Sequence, residues 1–203
     1  MKFLVDTSPG RMAEQDSELV IGQLLTPLTR YANWGGTFAI DNGAFSGFDE
    51  RKFRRMLDNN KENAERCLFV VSPDIVGAAR RTLELFRERH RWIGEEWPVA
   101  LVAQDGVEDV DLPWKEIDWL FLGGRDPWKD SQTAMDVCRT AKMLDKGVHI
   151  GRVNTIKRFK RYAAVADTCD GSGIAMYRHM LKDIEREVSA PTLFDEDLHA
   201  RCD

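Results

Sequence analysis

The chain has 203 residues, with 29 Lys and Arg against 34 Asp and Glu and a formal charge of −5. That length builds one domain or a small pair around a real core, and 43% hydrophobic with 31% charged residues is an ordinary soluble make-up. The acidic total argues against a protein that coats nucleic acid non-specifically and leaves room for a local basic groove.

No apolar run reaches the ~18 residues of a membrane span. The opening MKFLVDTSPG has too short an apolar stretch for a secretory signal. A cytoplasmic protein without a membrane partner is expected. Cysteines stand at 67, 138, 169 and 202 with no CxxC pair, so reduced thiols are expected, with no clustered zinc and no cofactor.

Taken in chain order, short apolar runs alternate with amphipathic stretches. The runs are Phe3-Leu4-Val5, Thr37-Phe38-Ala39-Ile40, Cys67-Leu68-Phe69-Val70-Val71, Val99-Ala100-Leu101-Val102-Ala103, Trp119-Leu120-Phe121-Leu122, Val148-His149-Ile150 and Val165-Ala166. Lacking polar alternation, they read as strands buried on both faces of a parallel sheet. The stretches 49–66, 77–92, 131–145, 155–164 and 174–188 read as helices, with Asp49, Ser131 and Thr155 as starting residues. The region 11–32 reads as helix with a break near Pro27. The alternation predicts an α/β fold, a compact or degenerate (β/α)₈ TIM barrel, with an eighth strand in the less clear parts and a flavodoxin-like open sheet as the rival. One barrel domain over 1–190 and a C-terminal tail over 191–203 are expected.

Each apolar run is followed by polar or glycine residues: Asp6-Thr7-Ser8, Asp41-Asn42-Gly43, Ser72-Pro73-Asp74, Gln104-Asp105-Gly106, Gly123-Gly124-Arg125, Gly151-Arg152 and Asp167 to Gly171. Taken singly, each such Asp reads as a cap or turn residue. Converging on the carboxyl rim of a parallel sheet, the set reads as a site. Carboxylates without a metal cluster suit nucleophilic and acid/base chemistry at an acetal-like carbon, with glycosidic bonds the standard case. A divalent ion serving a phosphodiesterase is the metal-dependent alternative. Glycines 123–124 and 171–173 would admit a flat ligand, and Phe45 and Phe48 would stack on it or pack under a loop. His149, inside a predicted strand, reads as a core histidine, and Cys169 as a small packing residue.

These strand-end motifs resemble the tRNA-guanine transglycosylase superfamily, TIM barrels that exchange guanine for a 7-deazaguanine in a polynucleotide. Ile40-Asp41-Asn42-Gly43-Ala44-Phe45 resembles that family's Asp-Ser-Gly-Gly-Phe segment. Ser72-Pro73-Asp74-Ile75-Val76, Val102-Ala103-Gln104-Asp105-Gly106 and Leu122-Gly123-Gly124 resemble its base-reading segments. Val148-His149-Ile150-Gly151-Arg152 is similar to the strand before the last site element, and Ala166-Asp167-Thr168-Cys169-Asp170 to the segment that ends in the nucleophile.

The resemblance implies Asp170 as nucleophile on the sugar C1′ and Asp41 as proton handler. It also implies that Asp74, Gln104, Gly123, Gly124 and Phe45 hold the base. Absence of the tRNA enzymes' zinc cysteines, and the shorter chain, point within that resemblance to the small DNA-acting relatives of phage and bacterial modification or defence.

A base in a duplex reaches a barrel rim only when flipped or single-stranded. Arg152, Lys157, Arg158, Lys160 and Arg161 form a candidate phosphate-binding run, extended by Arg178, His179 and Lys182. Arg125 and Lys129 beside Trp128 form a second patch, with solvated helix faces as the plain alternative. Trp119 reads as core and Trp128 as an exposed stacking group.

The expected activity is exchange of guanine for a 7-deazaguanine in DNA. The alternatives are a hydrolytic glycosylase leaving an abasic site, and a non-catalytic nucleic-acid-binding barrel. The expected partners are DNA and a free 7-deazaguanine base. Homodimer formation is left open.

Overall fold

The structure is a computed structural model and describes residues 1–14, 17–30, 32–171 and 178–189. Eight strands close a barrel in sequence order: β1 (Lys2–Val5), β2 (Val20–Leu25), β3 (Phe38–Ile40), β4 (Cys67–Val71), β5 (Val99–Ala103), β6 (Trp119–Leu122), β7 (Gly147–Ile150) and β8 (Thr168–Cys169). Every neighbouring pair is parallel, and β8 closes the ring between β7 and β1. The described helices are α1 (Pro9–Ala13), α2 (Glu50–Asn60), α3 (Ala79–Gly94), α4 (Gln132–Met143), α5 (Ile156–Tyr162) and α6 (Arg178–Ser189).

The barrel is a reduced one. The β5–β6 connection holds two short 3₁₀ turns, Val107–Asp109 and Trp114–Glu116, where a full (β/α)₈ barrel has a helix. The open-sheet rival is excluded by the β1–β8 pairing.

Sequence-local chemistry starts three of the helices. The side chains of Asp49, Ser131 and Thr155 accept hydrogen bonds from the backbone N–H groups of Lys52, Ala134 and Arg158. Each satisfies one donor that the first helical turn leaves without a partner.

Two expectations are corrected. The region 11–32 is no long helix: α1 ends at Ala13, and Val20–Leu25 is the second strand. That strand carries Gly22 and Gln23, which hide its β character. Gly22 is required there, because a Cβ would lie 2.3 Å from the Thr37 carbonyl oxygen. The last strand is Thr168–Cys169 rather than Val165-Ala166. The former pairs with both its neighbours, whereas Val165 and Ala166 lie in the turn leaving α5, their N–H groups bonded to Tyr162 O. The 174–188 helix is described from Arg178 onward, and the tail 191–203 lies outside the described residues.

The strands carry two cores. Leu4, Leu24, Ala39, Phe69, Val71, Ala100, Val102 and Phe121 cluster as the barrel's filling. Small residues on β3 and β5 make room for the Phe69 and Phe121 rings, as a narrow barrel demands. Alternate strand residues, among them Phe3, Val5, Leu120, Leu122, Val148 and Ile150, face outward into the helix layer. Trp119 packs inward on Phe69 with ring centroids 4.8 Å apart, as expected. Among the described residues no helix is long and apolar enough to cross a membrane.

Candidate active site

The carboxyl ends of five strands converge on one cavity of about 60 Å³. It is lined by Asp41, Asn42 and Phe45 after β3 and by Asp74 after β4. Gln104 follows β5, Gly123 and Gly124 follow β6, and Arg152 follows β7. The structure thus brings together every residue expected to hold a base, together with Asp41. Asp170, at the exit of β8, lies outside the cavity lining, and its charge acts on Asp41 within it.

Two amides and one carboxylate form the cavity's fixed wall. Gln104 Oε1 accepts the backbone N–H groups of Gly77 at 2.8 Å and Gly124 at 2.9 Å. That fixes which end of the amide is oxygen, and Nε2 therefore donates to Asp74 Oδ2 at 2.6 Å. Asn42 is fixed in the same way. Its Oδ1 accepts the Ala44 N–H at 2.6 Å, so its Nδ2 donates to Asp74 Oδ1 at 2.7 Å and to the Ser72 carbonyl at 2.8 Å. Asp74 therefore receives a hydrogen bond on each oxygen. Burial pushes its carboxyl above the usual range, while the Asn42 and Gln104 donors pull it back.

Asp41 is held by the Gly43 N–H, which donates to Oδ1 at 2.6 Å. Its pKa is pushed up to about 7. Burial is the main cause, opposed by the Gly43 bond and reinforced by the charges of Asp170, Asp74 and Asp6. A carboxyl at that value is about half protonated at neutral pH and both gives and takes a proton readily.

Asp170 is arranged differently. Its Oδ1 accepts the Arg152 backbone N–H at 3.0 Å. Its Oδ2 lies 3.0 Å from His149 Nε2, and His149 Nδ1 lies 2.8 Å from Thr168 Oγ1. His149 is fully buried between the rings of Phe69 and Phe121. The sequence reading of a core histidine thus holds for its burial and misses its contact with Asp170. Cys169 is fully buried on the outer face, where burial pushes its thiol well up, as suits a packing residue.

Arg152 straps the cavity mouth. Its residue takes φ +58°, a left-handed conformation that costs a side chain of its kind about 1 kcal/mol or more. Its guanidinium donates to the Gly124 carbonyl and stacks over Phe45, 4.8 Å from the ring centroid. Phe45 itself is 71% exposed. An aromatic face standing in solvent at a cavity mouth is a stacking surface in place.

The rest of the basic run is occupied elsewhere. Arg158 donates to both oxygens of Asp130 and to Asp126. Lys160 pairs with Glu187, and Arg161 donates to the Ser131 carbonyl. Lys157 and Arg125 stand exposed, Arg125 with a long bond to the Val76 carbonyl at 3.3 Å. His179 and Lys182 are exposed on α6, and the Arg178 side chain lies outside the described residues.

Two patch expectations are corrected. Lys129 is fully buried, with Nζ donating to the Gly151 carbonyl at 2.7 Å. Its burial, with the Arg152 charge, pulls its pKa down to about 7. Trp128 is half-buried rather than exposed: it packs against Gly124, where a Cβ would lie 2.4 Å from its ring, and its Nε1 donates to Glu108. Among the described residues no group of three His, Cys, Asp or Glu side chains is placed to hold a metal ion.

No family model matches this chain, and no curated protein matches it. Solved structures do match, among them the crystal structure of an HpcH/HpaI aldolase from Desulfitobacterium hafniense DCB-2. That match has 12% identity and a TM-score of 0.43, and covers 94% of this chain and 93% of that one. The expected membership of the tRNA-guanine transglycosylase superfamily is corrected, since no model of that family matches the chain. The physical reason lies in the motifs. A short apolar run followed by Asp, Asn or Gly is what a parallel barrel produces wherever a buried strand turns into a rim loop.

Proposed function

We propose that the chain is an enzyme that breaks the N-glycosidic bond of a purine-like base held in DNA. The observation that carries this reading is the contrast between two carboxylates close enough for the charge of one to act on the other. Asp41 is pushed up to about 7 and so holds its proton in about half of the molecules at neutral pH. Asp170 accepts from the Arg152 N–H and lies against His149. Two carboxyl groups in such different surroundings suit an acid and a nucleophile.

The steps balance without a further reactant. Asp170 attacks the sugar C1′, the bond from C1′ to the base nitrogen breaks, and its electron pair leaves with the base. Asp41 donates its proton to that nitrogen. The product is a glycosyl ester on Asp170, one difficult displacement being split in two. An incoming base, such as a 7-deazaguanine, gives exchange when it attacks C1′ and passes its proton to Asp41, while the C1′–O bond breaks and its electron pair returns to the Asp170 carboxylate. Water in the same place gives hydrolysis and an abasic site.

The fixed wall favours a base with donors on its edge. Asn42 and Gln104 both donate to Asp74, so what Asp74 has left for a ligand are lone pairs. These accept from ring N–H and amino groups such as those on a guanine edge. Phe45 and Arg152 supply the flat faces at the mouth, and exposed Lys157 and Arg125 are the cations left for phosphates.

The test is mass spectrometry of the protein incubated with oligonucleotides, looking for released base, abasic sites and mass added to Asp170. Asp170→Asn is expected to abolish release with DNA binding near normal. Retained release in that variant overturns the reading. Silence on every DNA and RNA tried favours a binding module.

A further inference from the structure

We infer that His149 is a positioning residue for Asp170: held by Thr168 below, it donates its Nε2–H to the carboxylate above and fixes that group toward the cavity. This rests on the reading of Asp170 as nucleophile.

The arrangement follows from strand register. β7 and β8 are neighbours, with His149 opposite Thr168 and Ile150 opposite Cys169. Successive residues of a strand point to opposite faces. Thr168 and Asp170 therefore share the inner face, Cys169 points outward, and His149 reaches between them. The result is a chain of Thr168 Oγ1, His149 Nδ1 at 2.8 Å, and His149 Nε2 with Asp170 Oδ2 at 3.0 Å. Both ends are enclosed, Thr168 at 2% exposure and His149 at 0%.

Proton bookkeeping selects the tautomer. The Arg152 N–H already marks Asp170 as an acceptor. With Asp170 ionised, Nε2 must carry the proton between them. Nδ1 then takes the Thr168 hydroxyl proton, and every donor has an acceptor. The rings of Phe69 and Phe121, 5.1 and 4.6 Å from the imidazole, give it no polar alternative. The other groups acting on Asp170 are Asp41 after β3, buried Lys129 before α4, and Arg152 after β7. Of these, Arg152 is in hydrogen-bond contact through its main chain.

The test uses the free protein. Imidazole ¹⁵N shifts report the tautomer, and ¹³C-labelled aspartate reports the carboxyl resonance of Asp170. The expected result is a protonated Nε2 and a bare Nδ1. His149→Phe is expected to shift that carboxyl resonance, because a donor to the carboxylate is lost. Thr168→Val, which keeps the shape of the site, covers the case in which His149→Phe does not fold. In it Nε2 is expected to keep its proton, since the contact with Asp170 remains, and a proton moved to Nδ1 would overturn the inference.

A protonated Nδ1, or an Asp170 carboxyl resonance unmoved by His149→Phe, overturns the inference. Neither readout needs turnover. Failure to release base would therefore strike the glycosidic reading alone, and an Nδ1–H tautomer would strike this one alone.

Discussion

Arg152 and Asp170 are joined through the main chain of one and the side chain of the other. The Arg152 N–H donates to Asp170 Oδ1 at 3.0 Å, while the Arg152 guanidinium turns away to lie 4.8 Å from the Phe45 ring centroid. One residue thus serves the Asp170 carboxylate with its backbone and the cavity mouth with its side chain. The left-handed φ of +58° is what allows both.

Substitution separates the two tasks. Arg152→Gly keeps the N–H and removes the strain of a side chain in that conformation, worth about 1 kcal/mol. The melting temperature should hold or rise, while KM for a polynucleotide substrate rises by about tenfold through loss of the stacked cation. A clear fall in melting temperature would show that the guanidinium braces the fold rather than the ligand.

Asp41 makes stability depend on pH in a defined window. Its pKa is about 7 folded and 3.8 as an ordinary carboxyl. Between those values the folded chain holds a proton the unfolded chain has lost, so stability falls as pH rises from about 4 to about 7. At ~1.4 kcal/mol per pH unit the loss reaches at most ~4 kcal/mol. Asp41→Asn keeps an oxygen for the Gly43 N–H and has no charge to bury. It should therefore match the wild type near pH 4 and exceed it at pH 8, while losing base release. Denaturant unfolding of both proteins at several pH values checks this. Lys129 acts in the opposite sense between about 7 and 10.5 and cancels in the difference. Equal pH slopes for the two proteins would refute the burial of Asp41.

Gln104 is the hinge pin of the wall. Gln104→Ala strips the acceptor from the Gly77 and Gly124 N–H groups and one donor from Asp74. Leaving such groups without partners costs about 1–3 kcal/mol each when they stay dry. A loss of about 2–4 kcal/mol is expected, with base binding lost. Gln104→Glu keeps the acceptors but sets a second carboxyl against Asp74. Its stability should fall with rising pH more steeply than the wild type's, and a parallel profile would count against the contact.

The basic run should divide under salt titration. Arg158→Ala removes bonds to Asp126 and Asp130 and should cost about 1 kcal/mol of stability with little effect on the salt dependence of DNA binding. Lys157→Ala and Arg125→Ala should each flatten the slope of log K against log salt by about 0.7–0.9. The reverse pattern would return the phosphate role to Arg158.

The strands at 3–5, 38–40, 67–71, 99–103, 119–122 and 147–150 were legible because burial on both faces leaves unbroken apolar runs. β2 was not, since Gly22 and Gln23 interrupt its run, and the reason for Gly22 is the Thr37 carbonyl, known only once the barrel closes. Asp41, Asp74 and Gln104 were legible as strand-end residues. Asn42 was visible at the same rim, but its hold on Asp74 depends on two strand exits meeting. The cations at 158 and 160 were plain in the sequence, and the acids that occupy them at 126, 130 and 187 were not, being far along the chain. Lys129 reads as a surface cation in any linear view, and its burial against Gly151 is a tertiary fact. A hint of the His149 role was present in the Thr168–Asp170 spacing, which places both on one face of a strand.

The two residues of β8 close the whole ring, touching β1 through Lys2 and Phe3 on one side and β7 on the other. They are the shortest strand in the barrel, and Asp170 is the next residue in the chain. The seam and the nucleophile candidate therefore share one fate. A local parting of β1 from β8 unseats Asp170 while the other seven strands stay zipped, so the protein can fall silent long before it melts. Amide exchange at Thr168 and Cys169 measured beside exchange at β5 and β6 puts a number on that gap, because protection tracks the free energy of each local opening.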